Sequence, residues 1–168
     1  MPSRSHRVVV VAHCHLNANT KVHGLANYRA VRRDVLAPLL SAEVGIVQLP
    51  CPEAGHLGMA RWGMSREQYD TAAYRRHCRE IIRPLLDTLI ELAADGCTIE
   101  RVIGVDGSPS CGVGRTCVGY EGGEISKLAE GDGVPRCISV EGRGVFMQEL
   151  EKMLTEEGLD VPFQGVCE

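Results

Sequence analysis

Short apolar runs alternate with amphipathic helical segments along this chain, and the alternation restricts the fold more than any other feature of the sequence. The runs are rich in Val, Ile and Leu, which is typical of strands buried on both faces of a sheet. The predicted strands are Arg7 to Ala12, Gly45 to Leu49, Glu100 to Val105, Arg136 to Val140 and Val161 to Val166. The predicted helices are Tyr28 to Ser41, Ser65 to Gly96 and Val145 to Glu157. This pattern predicts an α/β fold, a single three-layer α/β/α (Rossmann-like) domain over residues 1–168 with a mostly parallel sheet.

Local signals indicate where the helices begin and where one of them bends. Asn27 is the expected N-cap of the first helix, and Ser65 with Gln68 fits a capping box that opens the longest one. Because proline lacks an amide hydrogen, Pro84 predicts a kink or a break of that helix near Arg83.

The segment Gly104 to Gly123 contains seven glycines and Pro109, so it cannot form a regular helix. A structureless segment of this length in a compact domain is usually functional or disordered, and the apolar strand before it argues against disorder. Its polar and nucleophilic groups are Ser108, Ser110, Cys111, Arg115 and Cys117. We therefore predict a functional loop.

The charge distribution narrows the class of partner. The formal net charge is -4 and the pI is about 5.9, with no run of Lys or Arg beyond short pairs. These values argue against binding to nucleic acid or to an anionic membrane, and small molecules or proteins remain as partners. Val8 to Ala12 is too short for a signal-peptide core or a membrane span, so we expect a cytoplasmic protein.

Eight cysteines occur, and none of them forms a CxxC pair. In a reducing compartment, thiols or metal ligands are expected rather than disulfides. Cys14, Cys51 and Cys111 each follow a predicted strand within two to six residues. Because ligands of parallel α/β sheets bind outside the carboxyl ends of the strands, these three thiolates are expected to converge in one crevice.

Three converging cysteines suit an iron-sulfur cluster with one iron free of protein ligands, or an open zinc site with water in the fourth position. The histidines near Cys14 keep zinc open as an alternative; they are His13, His15 and His23. The other cysteines are expected to differ in role: Cys78, Cys97 and Cys137 as small core residues, Cys117 as a structural thiol, sulfur acceptor or fourth ligand, and Cys167 as an ordinary terminal residue.

Three short motifs resemble those of a known family. They are His13-Cys14-His15-Leu16-Asn17 with Lys21 and Gly24, Leu49-Pro50-Cys51-Pro52-Glu53, and Ser108-Pro109-Ser110-Cys111-Gly112. In these motifs, which span most of the chain, the sequence resembles the thiouracil desulfidases and their relatives. The resemblance implies a [4Fe-4S] cluster held by Cys14, Cys51 and Cys111. It also implies non-redox removal of sulfur from a thiolated base, with release of sulfide.

The first motif departs from the common form of that family. Asn17, Thr20 and Lys21 to Gly24 stand where the common form has a second cysteine and an acidic residue. The chain is therefore similar to a divergent branch, in which the type of cluster carries over better than the substrate.

The expected chemistry follows from the softness of sulfur. A thiocarbonyl sulfur binds an open iron in preference to water, and coordination withdraws electrons from the adjoining carbon so that water can attack it. Glu53 is the preferred proton acceptor because a proline-bounded turn holds it near Cys51, whereas Asp106 is the other candidate or a cap for the loop amides. Ser108 and Ser110 are expected to hold the polar edge of the substrate.

The leading prediction is therefore a [4Fe-4S]-dependent desulfidase that acts on a small thiolated compound such as a thiolated nucleobase. A zinc-dependent hydrolase is the alternative, and a noncatalytic iron-sulfur or redox-sensing module is the third. The sequence predicts neither the individual substrate nor the oligomeric state.

Overall fold

The computed structural model describes residues 3–120, 122 and 137–167. The strands are β1 (Arg7–Val11), β2 (Gly45–Gln48), β3 (Thr98–Asp106), β4 (Arg115–Val118), β5 (Ile138–Glu141) and β6 (Phe163–Cys167). The helices are α1 (His13–Leu16), α2 (Arg33–Ser41), α3 (Pro52–Leu57), α4 (Arg66–Tyr69), α5 (Ala72–Ala94) and α6 (Val145–Glu156), with a 3-10 turn at Ala18–Thr20. Within this described part of the chain, no helix is long and apolar enough to cross a lipid bilayer.

Four strands form one parallel sheet in the order β2, β1, β3, β6. Successive residues of β1 point to opposite faces of this sheet. Val10 packs in the core that α5 and α6 cover, whereas Val9 and Val11 pack with Leu36 and Leu39 of α2. Helices therefore cover both faces, which confirms the predicted three-layer α/β/α arrangement with a mostly parallel sheet.

The closing strand predicted over Val161 to Val166 is β6, which pairs with β3 on the side opposite β1. Gly165 in β6 faces Asp106 at the end of β3, and a Cβ atom at this position would overlap the Asp106 carboxylate. The two strands can pair to their ends because residue 165 is glycine.

The predicted strand Arg136 to Val140 does not belong to the parallel sheet. Its first residue lies outside the described residues, and the rest leads into β5, which pairs antiparallel with β4. β4 itself lies inside the segment Gly104 to Gly123 that we expected to be structureless. The two strands form a ribbon in which the Arg115 guanidinium donates to the hydroxyl and the carbonyl oxygen of Ser139, both at 2.9 Å.

Cys117 and Cys137 form a disulfide bridge across this ribbon, with their Cα atoms 5.5 Å apart. The expectation that the chain would lack disulfides is therefore wrong, as is the core position expected for Cys137. The reason is the antiparallel register, which pairs Cys117 with Ser139 and so brings Cys137 within bridging distance. The bridge also removes Cys117 as a candidate fourth metal ligand.

The first long helix begins later than predicted. α2 starts at Arg33, and its N-cap is Arg32 rather than Asn27. Backbone hydrogen bonds tie the preceding segment to the α1 region; the Arg32 amide, for example, donates to the His15 carbonyl at 2.8 Å. These tertiary hydrogen bonds hold residues 28–32 outside the helix.

The capping box at Ser65 is present, but it opens only the short α4. α5 has its own N-cap, Thr71, whose hydroxyl accepts a hydrogen bond from the Tyr74 amide at 3.1 Å. α5 then runs unbroken through Pro84, so the predicted break is wrong. Pro84 lies on the exposed face of α5. Burial of the apolar stripe on the opposite face stabilises the helix by more than the loss of the one hydrogen bond that proline cannot donate. That stripe consists of Tyr74, Cys78, Ile82, Leu86 and Leu89.

Candidate functional site

Three strands of the sheet each deliver one cysteine at their carboxyl ends, and none of the three belongs to the disulfide. Cys14 lies in α1, directly after β1; Cys51 follows β2; and Cys111 lies in the turn after β3. Because β2, β1 and β3 are neighbours in the sheet, their carboxyl ends lie side by side. We call Cys14, Cys51 and Cys111 the cysteine triad.

The order of the strands brings the triad together, and the raised pKa of Cys111 agrees with this placement. Burial raises the pKa of the Cys111 thiol, and the neighbouring Cys14 and Cys51 thiols raise it further. Burial also raises the pKa of Cys51. The hydrogen bond that its sulfur accepts from the Ala54 amide, at 3.5 Å, opposes this rise. The three thiols thus gather at one place, with Cys111 buried and Cys14 and Cys51 half-buried, where a cation would replace their protons.

The geometry of the triad tests which metal group fits it. A single tetrahedral zinc ion with Zn–S bonds of about 2.3 Å holds its sulfurs about 3.8 Å apart. Of the described residues, only His6, Asp95 and Cys97 bring three ligand atoms within 4.8 Å of one another, so the triad does not. In an iron-sulfur cluster the cysteines bind different irons, which suits this wider spacing and the all-thiol donor set. The all-thiol donor set of the triad therefore fits an iron-sulfur cluster.

The turn that presents Cys111 is built by two serines. The Ser108 hydroxyl oxygen accepts hydrogen bonds from the amides of Ser110 and Cys111, at 3.2 and 2.9 Å. Ser110 is fully buried, and its hydroxyl hydrogen-bonds the Tyr74 hydroxyl of α5 at 2.8 Å. Both candidate serines are therefore adjacent to the triad, and both have a defined part in holding Cys111.

Glycines let α6 and the loop backbone pack tightly around this turn. The amides of Val145 and Phe146 at the start of α6 donate to the carbonyls of Pro109 and Ser110, both at 3.0 Å. A Cβ atom at Gly144 would overlap the Ser110 carbonyl. A Cβ atom at Gly112 of the loop would likewise overlap the Arg115 carbonyl, so close backbone packing explains part of the glycine content of the loop.

Glu53 lies in the first turn of α3, two residues after Cys51. Its charge contributes to the raised pKa values of Cys51, Tyr69 and Cys111, which places its carboxylate beside the triad. Its assignment as the proton acceptor stays a prediction.

Arg61 is a residue of the site that the sequence reasoning missed. Its side chain is 4% exposed, and its Nε lies 3.4 Å from Oε2 of Glu53. The same guanidinium donates to the carbonyl oxygens of Thr20, at 2.6 Å, and Gly58, at 3.1 Å. Arg61 therefore fixes the Glu53 carboxylate and ties the loop after α3 to the 3-10 turn that follows α1.

Asp106 has a different environment from Glu53. Its Oδ1 accepts hydrogen bonds from the amides of Val113, Gly114 and Arg115, at 3.0, 2.9 and 3.3 Å. This carboxylate organises the loop after Cys111, which is the capping role that the sequence analysis gave it as an alternative.

The histidines beside Cys14 contact protein groups. His15 is fully buried, and its Nε2 lies 3.1 Å from the Gly104 carbonyl oxygen of β3. His13 Nδ1 lies 2.5 Å from the side-chain amide nitrogen of Gln48, and burial lowers the pKa of this histidine. Both rings brace the residues around Cys14. His23 does not join Cys14 in any cluster of three close ligand atoms among the described residues.

Comparisons with known proteins agree with this architecture. A family model described as "Putative 2-thiouracil desulfurase" matches residues 6–122, which include the whole triad. The uncharacterized protein MJ0003 of Methanocaldococcus jannaschii is 36% identical over 107 residues, covering 64% of this chain and 68% of that protein. A solved structure described as a [4Fe-4S]-dependent thiouracil desulfidase, TudS, has a TM-score of 0.52 at 21% identity, covering 94% of this chain and 89% of the other. This last likeness supports the fold.

Proposed function

The chain belongs to the 2-thiouracil desulfurase family, and on that basis we propose that it is a [4Fe-4S]-dependent desulfidase. Cys14, Cys51 and Cys111 hold the cluster, and the enzyme removes sulfur, as sulfide, from a small thiolated compound such as a thiolated nucleobase. The observation that carries the proposal is the convergence of three cysteines from three neighbouring strand ends. The fold likeness to a protein described as [4Fe-4S]-dependent supports the choice of cofactor.

The proposed reaction is a hydrolysis without electron transfer. The C=S bond of the substrate breaks, a C=O bond forms with the oxygen of water, and the sulfur leaves as hydrogen sulfide. When bound, the cluster supplies a Lewis-acidic iron that has no protein ligand and accepts the substrate sulfur. The remaining tasks are to orient the substrate and to take a proton from the attacking water.

Glu53 is the proposed proton acceptor. Its carboxylate lies beside the triad, and Arg61 holds it from a buried position through the 3.4 Å contact. A carboxylate with one firmly positioned partner retains free lone pairs for the proton of a water molecule. Asp106, in contrast, already accepts three amides with one oxygen, so we assign it to loop architecture.

Ser108 is the proposed contact for the polar edge of the substrate. Its hydroxyl oxygen accepts hydrogen bonds from two backbone amides. The hydroxyl hydrogen can therefore be donated to an oxygen or nitrogen of a ligand. Ser110 is fully buried and bonded to Tyr74, so we give it the task of positioning Cys111.

We propose that residues 1–168 work as one domain, in the cytoplasm, on a small-molecule substrate. The low net charge and the absence of basic runs support a small molecule over a polyanion.

Iron and sulfide measurements test the function. Anaerobically reconstituted wild-type protein is expected to hold about four irons per chain and to release sulfide from 2-thiouracil or another thiolated nucleobase. Cys14→Ala and Cys51→Ala are expected to lose most of this iron, while Cys78→Ala keeps it because Cys78 is buried in the core beside α6. Full iron occupancy in Cys51→Ala would refute the ligand assignment. A full cluster that releases no sulfide from any thiolated nucleobase would favour a noncatalytic module.

A further inference from the structure

A second group of metal-ligating side chains lies at the opposite end of the sheet from the triad. His6 directly precedes β1, and Cys97 directly precedes β3. The parallel register pairs Arg7 with Thr98, so the residues before them are neighbours at the amino edge of the sheet. Asp95 joins them from the turn between α5 and β3.

The distances within this group suit a small cation. The ligand atoms of His6, Asp95 and Cys97 all lie within 4.8 Å of one another, and His6 Nδ1 is 3.9 Å from Cys97 Sγ. A tetrahedral zinc ion with bonds of about 2.0–2.3 Å spaces its ligand atoms by about 3.5 Å. Side-chain rotations that move the ligand atoms by a few tenths of an ångström to about 1 Å would therefore give the tetrahedral spacing.

The backbone that carries the three ligands is already fixed. The Thr98 amide donates to the His6 carbonyl at 2.8 Å, which joins the two chain segments. The amides of Gly96 and Cys97 donate to the carbonyls of Ala93 and Leu92, at 3.0 and 2.9 Å, so the turn after α5 is closed by a Schellman-type cap. Metal binding at this place needs no rearrangement of the main chain.

The donor set indicates the kind of cation. One thiolate sulfur, one imidazole nitrogen and one carboxylate oxygen form a mixed set that zinc accepts, with water as the fourth ligand. The Arg4 guanidinium, 2.8 Å from Oδ2 of Asp95, is the nearest competing charge. Both side chains of that pair are more than half exposed, so it contributes little, and the second carboxylate oxygen remains available for a metal.

From this geometry we propose that His6, Asp95 and Cys97 bind one zinc ion, at a site separate from the cysteine triad. On binding, the Cys97 thiol gives its proton to solvent, an S–Zn bond replaces the S–H bond, and no electron is transferred. The ion joins the segment before β1 to the turn between α5 and β3.

Zinc and cobalt binding to the reconstituted protein tests the site. Dialysis against Zn²⁺ followed by metal analysis is expected to give about one zinc per chain in wild type and in Cys167→Ala, whose cysteine is exposed and free. Cys97→Ala and His6→Ala are expected to bind zinc more weakly by at least the 10–100-fold that loss of a supporting group alone costs. Co²⁺ is expected to give a thiolate-to-cobalt absorption band in wild type that Cys97→Ala lacks.

The test compares the zinc content of variants with that of wild type prepared in the same way. The comparison is therefore valid whether or not the triad carries iron. If Cys97→Ala takes up as much zinc as wild type with the same affinity, the proposed site does not exist. A Cys97→Ala protein that loses zinc but keeps its iron and sulfide release would establish the zinc site apart from the proposed function.

Discussion

Glu53, two residues after Cys51, and Asp106, five residues before Cys111, have different hydrogen-bond partners, which give them different tasks. Glu53 is held by one buried guanidinium, whereas Asp106 accepts three backbone amides through a single oxygen. A side chain that organises three amides cannot move toward a substrate without disordering the loop that it supports. For this reason we propose Glu53, rather than Asp106, as the proton acceptor.

Replacing each carboxylate by its amide separates these tasks. Glu53→Gln keeps the size of the side chain but removes the base, so we expect normal iron content and turnover slowed by about 100-fold or more. Asp106→Asn keeps a carbonyl oxygen for the amides but weakens the charge-assisted bonds, so we expect lower loop order and a smaller fall in turnover. Sulfide release at matched iron content measures both effects. Near-normal turnover in Glu53→Gln beside an inactive Asp106→Asn would transfer the role to Asp106.

At the scale of residues, the sequence predicted side chains that follow strands and missed those that the fold recruits from elsewhere. Cys14, Cys51 and Glu53 could be placed because each lies a few residues after an apolar run. Arg61 has no such signal, since its partners Glu53 and Thr20 become neighbours only when the loop after α3 folds back. Cys97 was expected in the core, but it is half-buried beside His6, which is distant in sequence.

The contact between α5 and α6 shows how two elements can be joined by charge inside an apolar interface. Glu149 of α6 is 5% exposed, and its two oxygens accept hydrogen bonds from Arg75 and Arg79 of α5, at 2.7 and 2.8 Å. Burial alone would raise the pKa of Glu149, but the two guanidinium groups outweigh it and hold that pKa below its ordinary value of 4.5. The carboxylate is therefore ionised and paired at neutral pH.

Removing this charge should cost stability in a pH-dependent way. Because the folded-state pKa of Glu149 is depressed, its stabilisation is present above about pH 4.5 and is lost as the pH falls through the lower folded value. We expect Glu149→Gln to lower the free energy of unfolding by about 2 kcal/mol near neutral pH, and the difference from wild type to shrink as the pH falls below about 4.5.

Urea unfolding at several pH values measures this difference. Glu156→Gln is the matched control, because Glu156 lies on the same helix in an exposed pair with Lys152 and should change stability by less than about 0.5 kcal/mol. A Glu149→Gln penalty that stayed constant from neutral to acid pH would show that packing, not charge, joins α5 and α6.

At the scale of elements, periodicity located the strands and helices but not all of their ends and partners. The apolar stripe of α5 was evident in the sequence. That its burial outweighs the hydrogen bond lost at Pro84 became clear only from the structure, in which the stripe is buried. The late start of α2 depends on hydrogen bonds to the α1 region, which no local pattern contains. The ribbon of β4 and β5 was missed because β4 is a short strand inside a glycine-rich segment.

The order of the sheet connects the whole molecule to its site. β3 carries Asp106 and leads to Cys111, and it is flanked by β1 on one side and by β6 on the other. The fold class followed from the alternation of elements, but this order did not, since alternation alone allows several arrangements of parallel strands. β6 therefore lies directly beside the strand that carries Asp106 and leads to the Cys111 loop.

A methyl group at Gly165 tests this connection. The Cβ atom of Gly165→Ala would overlap the Asp106 carboxylate, so we expect a loss of about 1–3 kcal/mol in the free energy of unfolding. The displaced carboxylate should also release the Gly114 amide, which hydrogen exchange can detect. Gly63→Ala is the control, because a Cβ atom there meets only Leu25, at an ordinary 3.8 Å. Equal stability and equal Gly114 protection in the two variants would show that β6 does not support the loop.

The position of β6 also bears on when during biosynthesis the site can be completed. All three triad cysteines emerge from the ribosome before the strand that pairs with β3 and confines Asp106. A nascent chain that ends after α6 therefore displays the thiols while the support of the Cys111 loop is still missing. We expect cofactor insertion to follow the pairing of β6 with β3, so that chains truncated before β6 take up less iron than chains that contain it.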